Sequence, residues 1–331
     1  MLGLGLAAFC APGWAAVTVP QPGALNYVEG QASIDNQIVN SKSVGSAVLN
    51  AGDVLSTGNG RAEVLLTPGV FMRIGKNSAV RMIAPELTNT RVEVLQGQAM
   101  VEADFLHKED HILVAERGAT AELDKKGIYD FDANNGDIRV FDGKATVTEG
   151  DQQTDVKKGK EVLVNAPKLK AEKFDRDAAQ ASDPLYSWSK LRSEYLAEAT
   201  ASTAQTYIVD GGSWYGPGWY WNPWWGMYSF VPADGFFYNP FGWGLYSPVY
   251  LYGGGFGFYG GRGFYGGHRY YAAPRGNAVG GGNWTARAHS AAPAFRAPAI
   301  RSAPAPMTGR MGGFGGGFHG GFAGGFHGGR R

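Results

Sequence analysis

From about residue 25 to residue 164, apolar side chains come in runs of four or five, punctuated by Gly, Asn and Asp. That is the rhythm of short strands, not of helices. The runs 62–66, 70–74, 91–95, 99–103, 112–115, 127–131, 137–141, 145–148 and 161–164 are the predicted strands. Arg91-Val92-Glu93-Val94 and Asp137-Ile138-Arg139-Val140 alternate charge with aliphatic, placing the two on opposite faces. Asp142-Gly143 and Asn134-Asn135-Gly136 predict tight hairpin turns, because glycine enters positive φ at little cost. With no β–helix–β rhythm, the pattern predicts an all-β, largely antiparallel domain.

One helix is expected next. Asp183 can cap it, Pro184 suits its first turn, and Leu185, Trp188, Leu191 and Tyr195 fall near one face. The pattern runs to about Thr200. The sequence leaves open whether this helix docks on the β-domain. Beyond Gly211 an imperfect repeat follows, Gly218-Trp219-Tyr220-Trp221-Asn222-Pro223-Trp224 echoing Gly235-Phe236-Phe237-Tyr238-Asn239-Pro240-Phe241. Each copy then reaches Tyr-Ser, which predicts two hairpin-like units whose rings cover one another. The expected organisation is therefore a β-domain over 17–165, linker and helix over 166–205, aromatic repeats over 206–252 and a Gly/Arg/Phe/His-rich disordered tail over 253–331.

Charge sharpens that division. Residues 17–210 hold 21 Lys+Arg against 28 Asp+Glu, whereas the remainder has nine arginines, no lysine and the single acid Asp234. Residues 1–16 carry no charge, and an apolar stretch there ends in small residues after Pro12-Gly13, which reads as a secretory signal peptide. It lacks a basic start, pointing to a natural beginning further upstream. An exported protein of the periplasm or cell surface is expected, without an integral membrane span. Removing the segment removes Cys10, the only cysteine, and with it any disulfide or thiolate chemistry.

Ala51-Gly52-Asp53-Val54-Leu55-Ser56-Thr57-Gly58, then Ala62-Glu63-Val64-Leu65-Leu66 and Pro68-Gly69-Val70, resemble the opening of the FecR-type domain. Asn77-Ser78, the Val94-Leu95-Gln96-Gly97-Gln98-Ala99 step read as a hairpin, and a degenerate Gly118-Ala119-Thr120 turn continue the likeness over residues 44–164. The resemblance implies an extracytoplasmic, non-catalytic β-module. Family members that regulate sigma factors place a cytoplasmic helical domain and a membrane span first. Here a signal-like segment leads into the domain, so anti-sigma activity does not carry over.

Candidate chemistry is thin. His107 and His111 have helical i,i+4 spacing but lie between strands, where a solvated loop explains them. Asp130 and Asp132 share a strand phase, as paired acids would, and so would any exposed polar face. Gly255-Phe256-Gly257-Phe258-Tyr259-Gly260 matches a dinucleotide-binding spacing by composition alone, and Tyr215 breaks a nucleophile-elbow pattern at 211–215. His319 and His327 belong to low-complexity repeats. No catalytic residue, metal site or cofactor is assigned, and the chain is expected not to be an enzyme.

The remaining signal is aromatic. Trp219, Trp221, Trp224, Trp225 and Trp243 either pack on each other and on the β-domain or form a stacking platform for a ligand. The expected function is envelope binding or scaffolding, with envelope polysaccharide or protein as partner. The alternative is a sensor-like component of a cell-surface pathway acting through a separate membrane protein. Export and an acidic folded domain argue against nucleic acid despite Arg-Gly segments near Arg262. The oligomeric state is not legible.

Overall fold

The computed structural model describes residues 20–209 and 216–252. The expected signal segment and the tail from residue 253 lie outside them, as do Tyr215, Arg262, His319 and His327. Two large sheets stack face to face, and the chain alternates between them in order. Sheet I receives β1 (Leu25–Glu29); sheet II then takes β2 (Ala32–Ile34), β3 (Gln37–Val39) and β4 (Val54–Thr57). The chain returns to sheet I for β5 (Arg61–Thr67) and β6 (Val70–Ile74), and to sheet II for β7 (Ala79–Glu86) and β8 (Asn89–Gln96). The winding continues with β9 (Gln98–Ala103) in I, β10 (His111–Glu116) and β11 (Ala119–Leu123) in II, and β12 (Gly127–Asp132) and β13 (Asp137–Asp142) in I. Sheet II gains β14 (Lys144–Glu149) and β15 (Gln152–Lys157), and sheet I closes with β16 (Lys160–Leu163) and β17 (Glu172–Lys173).

Both sheets are thus filled from one side to the other as the chain proceeds. The protein is mostly β, as the pattern predicted. Pairing is antiparallel except between β8 and β10. Every predicted strand is present. The Asn134-Asn135-Gly136 turn joins paired neighbours β12 and β13. The Asp142-Gly143 step does not make a hairpin: β13 and β14 belong to different sheets, and Gly143, at φ +98°, is a corner where the chain crosses. Gly97, at φ +72°, plays the same part between β8 and β9, where a hairpin was also expected. Turn chemistry fixes the local bend but not which sheet the next strand joins.

The main core lies between the sheets. Ala62, Val64, Leu66, Val70, Met72, Ile74, Val101, Tyr129, Phe131 and Val140 of sheet I meet Leu55, Val80, Val92, Val94, Ile112, Val114, Ala121 and Val147 of sheet II. The alternate residues of sheet I are buried too. Leu65, Phe71, Met100, Ile128 and Phe141 point outward from the sandwich and pack into two further clusters. What covers them are α1 (Arg176–Ser182), α2 (Pro184–Val209) and two hairpins, β18 (Gly218–Asn222) with β19 (Met227–Val231) and β20 (Phe236–Tyr238) with β21 (Gly244–Tyr246). A five-residue α3 (Pro248–Tyr252) ends the described chain. Among the described residues no helix is long and apolar enough to cross a membrane, a statement that says nothing of β-barrels.

Candidate functional site

Helix α2 docks on sheet I through a face shared between six apolar residues, three of them alanine, and five polar ones. Leu185, Trp188 and Leu196 are buried, but so are Ser189, Arg192, Ser193, Thr200 and Thr203. Leu191 and Tyr195, which the sequence places near one face with Leu185 and Trp188, are exposed. The reason lies beneath the helix, in charges on the outer face of sheet I. Glu63 on β5 and Arg73 on β6 are register partners and bond at 2.8 Å, both fully buried. Arg73 reaches Glu102 on β9 at 2.7 Å. From the helix, Arg192 meets Glu63 at 2.9 Å while its guanidinium lies 4.0 Å from the centre of the Tyr27 ring. The Ser193 hydroxyl donates to Glu102 at 2.6 Å. Two carboxylates thus face two guanidiniums. Burial pushes the Glu63 carboxyl up, and Arg192 and Arg73 outweigh it and hold the group below the ordinary glutamate value.

The hairpins are fastened to the same network. The Asn26 side chain donates to Glu63 (2.9 Å) and pairs with the backbone of Tyr228 in both directions, accepting at 2.7 Å and donating at 3.1 Å. The two Asn-Pro turns of the repeat do matching work. Asn222 donates to the Ala199 carbonyl (3.1 Å) and the Thr203 hydroxyl (3.0 Å) of α2, while its oxygen accepts from the backbone N–H groups of Trp224 and Trp225. Asn239 donates to Ser193 (2.7 Å) and accepts from the Trp243 N–H (2.9 Å). Each asparagine clamps its own turn and ties it to the helix. The sequence displayed the repeat; what it did not display is that these asparagines are buried.

The five tryptophans separate by exposure. Trp219 is buried and Trp221 and Trp243 pack against the same cluster on Leu65, Phe71, Leu196 and Phe230. Trp221 sets its edge against Tyr228, with ring centres 5.1 Å apart. Trp224 and Trp225 occupy the β18–β19 turn. Trp224 is 84% exposed, and Trp225 lies 5.7 Å from the half-exposed ring of Tyr195 on α2. Three of the rings are therefore committed to packing, and two present a face to solvent.

Asp130 is fully buried; Gln98 donates to it and to Asp183, each at 2.9 Å, and Arg139 stands 3.8 Å off. Burial, then the neighbouring Asp183, pushes Asp130 well above the ordinary aspartate value. Asp132 instead caps the following turn, accepting from Asn134 and Asn135. The two acids do not converge on a common point. Glu116 points into the sandwich in phase with Ile112 and Val114, and burial, followed by Asp130 and other acids, pushes it up to about 8. His111 pairs with Glu122 at 2.7 Å, and His107 lies edge-on to Phe105. Among the described residues no group of three His, Cys, Asp or Glu side chains is arranged to hold a metal.

No family model matches the chain, and no curated protein matches it. Two crystal structures of a candidate anti-sigma factor from Parabacteroides distasonis are similar to it. Each shares 18% identity at a TM-score of 0.33, over 39% of this chain and 62% of the other. The chain thus covers less than two thirds of the length of those proteins.

Proposed function

We propose that this chain is an exported, non-catalytic module of a bacterial cell envelope, in which a FecR-type β-sandwich holds an aromatic surface against envelope polysaccharide. The observation that carries the reading is the β18–β19 turn. It places Trp224 almost wholly in solvent beside Trp225 and Tyr195, on a backbone fixed by Asn222. Exposed aromatic rings lose the stabilisation that burial would give, roughly 1.5–3 kcal/mol for a large side chain. Such exposure, clustered and on a rigid support, is characteristic of an interaction surface. Rigid aromatic side chains also lose little conformational entropy on binding. The charge-free leader and the resemblance of residues 44–164 to the FecR-type domain support an envelope setting.

Catalysis is not part of the reading, because Asp130 and Asp132 are turned to different structural duties. Co-sedimentation of the chain from residue 17 onward with peptidoglycan, with lipopolysaccharide vesicles and with an insoluble polysaccharide tests it. Saturable retention on at least one of them is expected. Retention on none overturns the polymer reading and favours a protein-partner role in cell-surface signalling.

A further inference from the structure

The loop between β9 and β10, the loop between β11 and β12, and Phe237 of β20 border an open cavity of about 690 Å³. That volume lies in the range of small-ligand sites. One wall is aromatic. Phe105 is stacked behind on Phe230 at 6.1 Å, flanked by Phe237 at 6.5 Å, and crossed edge-on by His107 at 4.6 Å. The ring is thus held from three sides while remaining partly exposed.

Deeper in, Asp104 lines the cavity and is only 4% exposed. Its backbone N–H donates to the Gly69 carbonyl at 2.7 Å, but its side-chain Oδ1 has no hydrogen-bond partner. A buried, unpartnered oxygen is costly and rare in native proteins. The Asp104 carboxyl also shares a side-chain hydrogen bond with Glu102 of the buried network. Burial and Glu102 hold the Asp104 carboxyl well above the ordinary aspartate value. Its Oδ1 is left as an acceptor without a donor.

The rim carries three acids and three lysines. Its acids are already engaged: Asp110 accepts from the His107 N–H at 2.8 Å, Glu122 pairs with His111, and Asp124 pairs with Lys144 at 3.1 Å. Lys108, Lys125 and Lys126 line the same cavity, are exposed, and have no ion-pair partner among the described residues.

We propose that this cavity is a subsite for an acidic saccharide unit of the hexuronate type. A sugar hydroxyl donates to Asp104 Oδ1, the C–H face of the ring lies on Phe105, and the carboxylate meets the rim lysines. The proposal rests on the reading of the chain as a polysaccharide-contacting module, but it uses none of the Trp224–Trp225 turn.

Calorimetric titration of the chain from residue 17 onward with tetragalacturonate, and with maltotetraose as a neutral counterpart, is the test. Saturable binding of the acidic tetramer is expected, at least about 10-fold tighter than the neutral one and weakened between about 50 and about 150 mM salt. Lys125→Ala with Lys126→Ala should weaken it at least about 5-fold and flatten the salt dependence, and Phe105→Ala about 10-fold. Asp104→Asn keeps a carbonyl oxygen as acceptor and should retain binding, whereas Asp104→Ala should lose it; equal melting temperatures of the lysine and Phe105 variants exclude unfolding as the cause. Equal affinity for both sugars, no binding of tetragalacturonate, or binding untouched by the lysine and Phe105 changes overturns the subsite. If Trp224→Ala with Trp225→Ala removes binding while the cavity variants keep it, the subsite falls and the aromatic-turn reading stands.

Discussion

At the scale of single residues, the outer face of sheet I was the least legible part of the sequence. Glu63, Arg73 and Glu102 sit in the polar phase of period-two strands, which ordinarily means a solvated face. Here that face is covered, and the charges survive burial by pairing with one another and with Arg192. Removing one partner leaves a buried charge underpaired, so Arg192→Met should lower unfolding free energy by about 3 kcal/mol in urea titration. Changing Glu63→Gln in the same chain should recover part of that loss. The Glu63 carboxyl is held low by the fold, so its contribution is present at neutral pH and is lost as pH falls through its folded value. Glu116 behaves oppositely. Its folded value, about 8, stands above the ordinary 4.5, so the stability tied to its protonated form is full below that lower value and lost as pH rises toward 8. Glu116→Gln should therefore match wild type near the lower limit and exceed it by about 2–4 kcal/mol near the upper one. A constant difference at both would contradict the assignment.

At the scale of elements, the strands of the main core were legible because burial between two sheets enforces the alternation that the sequence displays, as in Val92 and Val94 or Ile138 and Val140. Short or polar strands such as β3 and β15 were not, since their side chains are mostly exposed and carry little apolar pattern. The helix was foreseen, with its cap: Asp183 Oδ1 accepts from the Leu185 N–H at 2.7 Å. Its docking was not legible, because apolar periodicity does not find contacts made through Arg192, Ser193, Thr200 and Thr203. Glycine signals marked bends correctly without saying whether the chain pairs back or crosses to the other sheet. The crossing at Gly97 is the tightest of these to test. A Cβ there would lie 2.7 Å from the Ser78 backbone, whereas Gly118, also at positive φ, has open space around it. Gly97→Ala should cost about 1–3 kcal/mol more than Gly118→Ala, from overpacking added to the shared backbone strain. Equal midpoints in denaturant would show that the crossing relaxes freely.

At the scale of the whole molecule, the sandwich and its aromatic cover form one packed body over the described residues. Sheet I has its second face sealed by α2 and the two hairpins, and the repeat in the sequence corresponds to two asparagine clamps on one helix. Because Leu65 and Phe71 share a cluster with Trp219 and Phe230, heating should melt the β-signal in circular dichroism and the tryptophan fluorescence in a single transition. Two separated transitions would mean that the cover is an independent unit. The cover also decides which rings are available: packing consumes Trp219, Trp221 and Trp243, leaving Trp224 and Trp225 outward. The most direct test of the account compares the chain from residue 17 onward with its Trp224→Ala, Trp225→Ala double variant on whichever envelope polymer retains the wild type. The predicted result is an unchanged melting temperature with affinity reduced at least about 10-fold. Unchanged affinity in a folded double variant would contradict the claim that this turn is the binding surface.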